Sequence, residues 1–364
     1  MKKIILIAEA GVNHNGDLNR ALQLIDVAAT AGADFVKFQT FKTENLSTKS
    51  AQKASYQKRL TGASESQFEM LKKLELSPAA HKILIQHCRK KRIRFLSAPF
   101  DSDSLNLLTD RYGLPLIKIP SGELTNAPFL LEIARKDKSV LLSTGMSTLK
   151  EVREALSVLA FGFIDEAQKN KKRIQPGQKT FRQAFASKPG QSALKAKVTL
   201  LHCTTEYPCP FEDVNLHAMD TLAREFGLPV GYSDHTPGIT IPIAAAARGA
   251  VVIEKHFTLD KTLPGPDHPA SIDPDELIAL VKAVRAVESA VGDGKKRPSP
   301  SELKNIPIAR KSLVTGRPIK KGEKFSIENL TTKRPGSGMS PIRYWELLGK
   351  KAHRDYGSDE LIIE

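Results

Sequence analysis

Short β-type runs alternate with helix-type segments over roughly residues 1–290, and this alternation is what most narrows the possible folds. Eight strands are predicted: Ile4–Ala8, Asp34–Phe38, Ile93–Ser97, Pro115–Ile119, Val140–Ser143, Val198–His202, Leu228–Tyr232 and Val251–Glu254. Helical patterns lie between most of them and after the last: Leu18–Ala31, Pro78–Lys91, Leu149–Leu159, Ile241–Arg248 and Pro274–Val291. Eight strand–helix units predict an α/β fold, a TIM (β/α)8 barrel, and a doubly wound open sheet is the alternative.

Composition restricts the class of protein. The chain has no apolar run of about 18 residues, so no membrane span is expected. Its three cysteines are too few for a disulfide framework and fit a reducing, cytoplasmic setting. The net charge of +15 permits nucleic-acid binding, but the basic runs at 89–92, 169–173 and 295–297 accompany no nucleic-acid motif. A surface that attracts anionic substrates is the better interpretation, and solvated charge without a role is the alternative.

Polar residues gather at the carboxyl ends of the predicted strands, where a TIM barrel carries its active site. Lysines are rarely buried unless they are paired, so Lys37 and Lys118, each inside an apolar strand, suggest an anion held in this mouth. Serine hydroxyls would add the donors that phosphate and carboxylate groups require. The candidates in or just after the strands include Glu9, Lys37, Gln39, Lys118, Ser121, Glu123, Ser143, Tyr207, Ser233 and Asp267.

Two histidines, His235 and His256, each come shortly after a β-type run and have an acidic residue nearby. A single histidine at a strand end is usually only a hydrogen-bonded polar residue. The same arrangement on two successive strands favours a metal-binding pair, because the two side chains would meet at one end of the barrel.

Three stretches depart from the strand–helix alternation. Residues 42–69 read as a long polar loop that could cover the mouth as a lid. Residues 161–195 read as a polar, mostly basic stretch that could form a helical decoration on the outside of the barrel. Residues 292–305 have linker composition, so the predicted domains are a catalytic barrel (1–291), this linker, and a small β-rich domain (306–364). In the small domain, an exposed loop could carry Arg334 into an active site, and an ordinary surface turn is the alternative.

Several motifs resemble those of the bacterial sialic acid synthase family, in order along nearly the whole chain. They are Ile7–Gly16, Val36–Thr40, Lys118–Glu123, Leu142–Met146, His202–Pro208, Tyr232–Thr236, Glu254–Thr258 and Lys333–Gly336. The resemblance implies a TIM barrel followed by a small SAF domain, also called antifreeze-like, of the β-clip type. It implies condensation of phosphoenolpyruvate with an open-chain N-acylated mannosamine sugar, giving a nine-carbon 2-keto acid and phosphate. It also implies a divalent metal, Mn²⁺ or Mg²⁺, and a domain-swapped homodimer.

The same motifs imply roles for individual residues. His235 and His256 would bind the metal, and Gln39 would bind substrate. Either Glu9 or Glu123 could assist water addition, and Arg334 would come from the other protomer to recognise the acyl group of the sugar. Phosphoenolpyruvate would contact Lys37, Lys118, Ser121, Ser143 and Ser233. The sugar would contact Glu9, Glu123, Tyr207 and Asp267.

Two departures from the family pattern leave the substrates open. Ala98 stands where many members have a threonine that helps to bind phosphoenolpyruvate, and Thr205 stands where some have asparagine. Loss of one hydroxyl contact would weaken binding by about 1–2 kcal/mol rather than abolish it. The acceptor is either N-acetylmannosamine or 2,4-diacetamido-2,4,6-trideoxymannose, which gives N,N'-diacetyllegionaminate, and pseudaminate synthesis is an alternative. A binding protein on an inactive barrel and a 3-deoxy-octulosonate-phosphate-type synthase are the other function classes considered.

Overall fold

The computed structural model describes residues 3–62, 64–167 and 174–363, without the side chains of Tyr56, Arg59 and Leu60. The chain divides into two compact units, Met1–Gly292 and Asp293–Glu364. The basic run at 169–173 lies outside the described residues. Within the described ranges, no helix combines the length and hydropathy needed to cross a membrane.

The first unit is a barrel of parallel strands. In the described residues it contains eight: β1 Ile5–Gly11, β2 Phe35–Thr40, β3 Arg94–Pro99, β4 Leu116–Ile119, β5 Ser139–Ser143, β6 Val198–His202, β7 Val230–Asp234 and β8 Val252–His256. Their order is β3-β2-β1-β8-β7-β6-β5-β4, and the end strands β3 and β4 lie side by side. Pairing of the first strand with the eighth confirms the predicted TIM barrel and excludes the open doubly wound sheet.

Helices surround the barrel and pack their apolar faces on it. Helix α1 is typical, with Ala21, Leu24, Ile25 and Ala28 buried on one face. Asp17 caps its amino end, and Gly32 ends it in a left-handed conformation (φ 84°). The helices of this unit are α1 Leu18–Ala31, α2 Thr43–Leu46, α3 Ser55–Thr61, α4 Gln67–Leu74, α5 Pro78–Lys91, α6 Ser102–Asn106, α7 Ala127–Arg135, α8 Leu149–Ala167, α9 Gln178–Ala186, α10 Lys188–Lys197, α11 His217–Phe226, α12 Thr240–Ala247 and α13 Pro274–Ala290.

Two predicted irregular stretches contain regular structure. The prediction of a loop at 42–69 is wrong, because α2, α3 and the start of α4 lie in this stretch. Ser66 begins α4 with a capping box to Glu69, a local signal that outweighs the polar composition. The stretch 161–195 holds the end of α8, all of α9 and most of α10, and α9 packs against α8 as the decoration predicted there would.

Several strands extend further toward their carboxyl ends than predicted. Glu9 lies inside β1, and His256 is the last residue of β8. The two residues pair in backbone register, so ladder hydrogen bonds continue past the apolar run. Glu9 and His256 are therefore held by strands rather than by loops.

The second unit has a small core of its own. Strands β9 Ser312–Thr315 and β10 Leu330–Lys333 pair antiparallel, and single bridges such as Ile319 to Tyr356 extend the β-structure. Its helices are short: α14 Pro300–Leu303, α15 Ile306–Ala309 and α16 Tyr344–Leu347. The core is formed by Leu313, Ile319, Phe325, Leu330, Ala352, Tyr356 and Ile362.

Candidate active site

One cavity opens at the carboxyl ends of the barrel strands. Among the residues proposed from the sequence, Glu123 and Arg334 are not found in the described lining of this cavity. The others line it together: Glu9, Lys37, Gln39, Lys118, Ser121, Ser143, Tyr207, Ser233, His235, His256 and Asp267. The strand ends thus bring residues far apart in sequence to one polar mouth.

Glu123 and Arg334 lie elsewhere. Glu123 follows β4 in a single 3-10 turn, is half-buried, and accepts a hydrogen bond from Asn126 Nδ2 at 2.7 Å. Burial raises the pKa of this carboxyl group. Arg334 belongs to the second unit, where its Nε donates to the carbonyl oxygen of Ala309 at 3.0 Å.

Two lysines and two glutamates form a buried charged cluster in the floor of the cavity. Lys37 Nζ lies 3.0 Å from Glu254 Oε2 and 3.3 Å from Glu9 Oε2. Lys118 Nζ lies 3.1 Å from Glu254 Oε1, and Ser233 Oγ donates to the same oxygen at 2.8 Å. Neither lysine is more than 4 % exposed, so each needs an anionic partner to remain charged.

Burial and charge set different protonation states for the two glutamates. Burial raises the pKa of Glu9 to about 8, and the nearby Glu254 carboxylate adds to this rise. Burial also opposes ionisation of Glu254, but Lys118 and Lys37 hold its pKa below the usual range. Burial alone would lower the pKa of Lys37, yet Glu254 and Glu9 raise it. Because the pKa of Glu9 is raised and that of Glu254 is lowered, Glu254 is the main counter-ion of both lysines, while burial lowers the pKa of Lys118.

Hydroxyl groups form a second part of the floor beside this cluster. Ser121 Oγ accepts a hydrogen bond from the Gly145 amide at 3.1 Å. Within the described residues, the buried Ser143 Oγ and Thr205 Oγ1 have no hydrogen-bond partner. A Cβ atom at Gly145 would lie 2.4 Å from Thr205 Oγ1 and 2.8 Å from Ser121 Oγ, so only glycine leaves this space open. Free hydroxyl donors around an open space suit an oxyanion.

The two histidines stand together at the rim of the floor. Their ring centroids are 5.5 Å apart. His235 Nδ1 donates to the carbonyl oxygen of Thr204 at 2.5 Å, so Nδ1 carries the ring proton and Nε2 carries a lone pair. Nε2 accepts a hydrogen bond from the Tyr207 hydroxyl at 3.0 Å. Burial lowers the pKa of His235 to about 4, and burial, then the neighbouring His235, lower that of His256. Both imidazoles are therefore neutral, as metal ligands must be.

The donor set fits a divalent metal with few protein ligands. His256 Nδ1 is buried and has no hydrogen-bond partner among the described residues, and Asp267 Oδ2 lies 3.8 Å from it. Burial raises the pKa of Asp267 to about 6. In the described part of the chain, no three His, Cys, Asp or Glu side chains are grouped as a metal site. A metal held by His235 and His256 would need further oxygen ligands from water and substrate.

Several residues that line the cavity had no role predicted from the sequence. Glu254 was the last residue of the eighth predicted strand, but its place between two lysines was not predicted. The signal was available, since it lies two residues before His256 and so faces the same side of β8. Residues 42–69 were predicted to cover the mouth, and Gln57 and Gln67 of this stretch line the cavity with Met70, but no individual side chain there was given a role.

Comparison with known proteins shows the family. A model of the NeuB family matches residues 24–296, and a model of the SAF domain matches residues 310–362. An N,N'-diacetyllegionaminic acid synthase of Campylobacter jejuni is 54% identical over 364 residues, which is 100% of both chains. A Legionella pneumophila protein of the same name is 44% identical and covers 95% of this chain and 89% of its own.

A solved structure agrees with this relationship. The N-acetylneuraminic acid (sialic acid) synthetase of Leptospira borgpetersenii, in complex with citrate, is 33% identical, with a TM-score of 0.65. The match covers 84% of this chain and 90% of that one. The chain described here therefore belongs to the NeuB family, and an SAF domain follows its barrel.

Proposed function

We propose that this chain is a phosphoenolpyruvate-dependent synthase that makes a nine-carbon 2-keto acid of the sialic acid type. The acceptor is an open-chain N-acylated mannosamine sugar, and water and phosphoenolpyruvate complete the reaction, which releases phosphate. The observation that carries the proposal is the buried cluster of Lys37, Lys118 and Glu254 beside free hydroxyl groups. The names of the two relatives favour 2,4-diacetamido-2,4,6-trideoxymannose as acceptor and N,N'-diacetyllegionaminate as product.

The floor of the cavity supplies what the donor substrate requires. Phosphoenolpyruvate carries a phosphate and a carboxylate, and Lys37 and Lys118 can each exchange part of their contact with Glu254 for one of these anions. Ser121, Ser143 and Ser233 would supply hydroxyl donors, and Thr205 adds one that sequence analysis did not assign. This extra hydroxyl supports donor binding in a chain that has Ala98 in place of threonine.

Carbon–carbon bond formation joins C3 of phosphoenolpyruvate to the aldehyde carbon of the sugar. The new bond uses the enol π electrons, so positive charge develops at C2. The electrons of the carbonyl π bond move to the aldehyde oxygen, which becomes a hydroxyl group by taking up the proton that is released when water adds to C2. A divalent metal bound by His235 and His256, Mn²⁺ or Mg²⁺, would act as a Lewis acid toward the aldehyde. Tyr207 and Asp267 lie beside these histidines and would orient the sugar hydroxyls.

Water then adds to C2, and the resulting hemiketal phosphate loses phosphate by cleavage of the C2–O bond. Glu9 is the better candidate than Glu123 to assist this addition, because Glu9 lines the cavity. Its carboxyl group lies 3.3 Å from Lys37 Nζ and so adjoins the proposed donor site. In its ionised form, a carboxyl group at this place can take a proton from the water or stabilise the developing cation.

We further propose that the active form is a domain-swapped homodimer in which Arg334 acts on the barrel of the partner chain. The family relationship supports this arrangement. The Arg334 guanidinium would recognise the acyl group of the sugar. An Arg334→Ala variant mixed with a barrel-site variant should regain activity if the sites are shared between chains.

The first test is phosphate release from phosphoenolpyruvate with each acceptor in turn, with Mn²⁺ or Mg²⁺. Release that is strongest with the 2,4-diacetamido-trideoxy sugar would support the proposal in full. Preference for N-acetylmannosamine would reassign the acceptor and keep the reaction class. No release with these sugars or with the pseudaminate-type acceptor would overturn the proposal.

Replacing His256 by alanine should lower metal-dependent turnover by about 10³-fold or more, the scale expected when a Lewis acid is lost. Metal binding gives a second readout, because the variant should bind Mn²⁺ less tightly in equilibrium titrations. His217→Ala is a matched control, since His217 is exposed at the start of α11. Near-normal turnover and unchanged Mn²⁺ affinity in the His256 variant would refute the metal pair.

A further inference from the structure

The cavity has two walls of opposite character. The barrel floor is charged, as described above. Another part of the lining comes from the segment 42–75, and among its described side chains none that lines the cavity is charged. This wall, called the α4 wall here, is formed by Leu46, Gln57, Gln67, Met70, Leu71 and Leu74.

Helix α4 presents one continuous face to the cavity. Gln67, Met70, Leu71 and Leu74 follow the i, i+3, i+4, i+7 spacing of a single helical face. The charged residues of this helix point away and are paired outside the cavity. Lys72 Nζ, for example, lies 2.9 Å from Glu44 Oε1 on the exposed surface. The α4 wall is therefore uncharged because the helix turns its uncharged residues to the cavity and its charged residues to the solvent.

The segment 42–75 is held in place independently of any ligand. The buried Lys53 Nζ donates to Thr61 Oγ1, Gly62 O and Glu65 Oε1 at 2.9–3.1 Å. The Thr43 hydroxyl donates to Glu75 Oε2 at 3.0 Å, which ties α2 to the end of α4. Leu74 also packs with Val12 and Phe41 in a small apolar cluster over the strand ends. A wall fixed in this way can select among substrates by shape and polarity.

The orientation of the acceptor sugar in the cavity follows from the bond that the proposed reaction forms. Its aldehyde must meet C3 of phosphoenolpyruvate above the lysines, so the other end of the sugar chain, C4 to C6, extends away from the floor. In N-acetylmannosamine that end carries hydroxyl groups at C4 and C6. Burying a hydroxyl group against apolar side chains without a hydrogen-bond partner is unfavourable. A methyl group in the same place would instead be stabilised, because its apolar surface leaves water.

We infer that the α4 wall selects an acceptor whose far end is deoxygenated and acylated. Met70 and Leu71 would contact a C6 methyl group, and the primary amides of Gln57 and Gln67 would pair with a C4 acetamido group, which both donates and accepts a hydrogen bond. The inference rests on the proposed function and adds to it the residues that determine acceptor choice.

The test compares kcat/KM for the 2,4-diacetamido-trideoxy sugar with that for N-acetylmannosamine in matched variants. Met70→Gln and Leu71→Asn keep side-chain size and add a polar amide, and each should lower the ratio by about tenfold, the scale of one methyl group in an apolar pocket. Met70→Leu keeps an apolar side chain and should leave the ratio within about twofold. Lys72→Gln, on the outward face of α4, controls for effects on the helix itself.

The outcomes separate this inference from the proposed function. No phosphate release by the unaltered chain with any acceptor would overturn the function, and the inference with it. Turnover that prefers N-acetylmannosamine, or variants Met70→Gln and Leu71→Asn that both keep the original ratio, would overturn the inference alone. A lowered ratio in either polar variant, with KM for phosphoenolpyruvate unchanged, would establish the α4 wall as the acceptor-selecting element.

Discussion

Two layers of side chains fill the inside of the barrel, and they differ in kind although they come from the same strands. The first layer is apolar and is formed by Ile7, Phe35, Leu96, Leu141, Leu201 and Val252. The second, called the polar layer here, stands two residues further along and lines the cavity: Glu9, Lys37, Ala98, Ser143, Cys203 and Glu254, together with Lys118, two residues beyond Leu116, which packs against the first layer. Alternate residues of a strand face the same side, so two residues that are two positions apart both point into the barrel, the first in the packed core and the second in the cavity.

The two layers are also stabilised by different forces. The apolar layer depends on close packing, which Gly231 illustrates. A Cβ atom there would lie 2.6 Å from the Val252 carbonyl oxygen and 2.7 Å from Leu201 Cδ2. The polar layer depends on ion pairs such as that of Lys37 with Glu254, and it also holds the Ser143 hydroxyl, which has no hydrogen-bond partner among the described residues. A change in the first layer should therefore alter stability, and a change in the second should alter turnover.

The largest effect is expected for Lys118→Met in the polar layer. Losing one preorganised charged donor should lower kcat/KM for phosphoenolpyruvate by about 10²–10³-fold, as for other buried electrostatic contacts of a transition state. Phosphate release under steady-state conditions measures this value.

The matched control for this variant is Leu141→Met, because Leu141 is the backbone partner of Lys118 on β5. Methionine conserves the volume of leucine, so activity should persist and stability should change by less than about 1.5 kcal/mol. Equal losses of activity in the two variants would show that the two layers do not differ in function.

An intermediate effect is expected for Leu96→Ala in the apolar layer. Leu96 is fully buried and pairs in register with Lys37. Truncation should reduce the free energy of unfolding by about 2–5 kcal/mol through lost burial and a cavity. Denaturant unfolding measures the change, and kcat of the folded protein should remain near that of the unaltered chain. A large fall in kcat with unchanged stability would contradict the assignment of Leu96 to a structural layer.

The two layers also show how far the sequence could predict the structure. The apolar runs predicted eight strands, and the polar residues after them predicted most of the cavity lining. The runs end where polarity begins, so the predicted strands stopped before Glu9, Asp234 and His256, although backbone pairing continues there. The two-residue alternation inside a strand predicts which residues line the cavity better than the end of the apolar run does.

The rest of the site depends on contacts that no local pattern specifies. Glu254 gains its role because Lys37 and Lys118, from β2 and β4, approach it across the barrel interior. Helix α4 was not predicted because the stretch before it is polar and the helix has only eight residues, four of which face the cavity. The action of Arg334 on a barrel is still a prediction, since it concerns a second chain.

The smallest effect, and a test of whether charge has the same role at both ends of the barrel, is expected for Asp34→Asn. Asp34 precedes β2 at the end away from the cavity. Its carboxylate accepts from the Leu6 amide at 3.0 Å and from Arg285 Nη2 at 2.7 Å, and contacts Lys3 Nζ at 2.6 Å. Burial would raise the pKa of Asp34, but Lys3, the Leu6 amide and Arg285 together hold it below the usual range.

Because the folded pKa is depressed, the stability that Asp34 contributes is present above the unfolded value of about 3.9 and is lost as pH falls through the folded value. Asp34→Asn should therefore lower the free energy of unfolding by about 2 kcal/mol at neutral pH, the scale of charge-assisted hydrogen bonds, with kcat unchanged. Urea unfolding between pH 7 and pH 3 should show the difference from the unaltered chain shrinking below about pH 4. A difference that stayed constant with pH would mean that Asp34 acts through packing, and a loss of kcat would mean that charge at this end also serves the reaction.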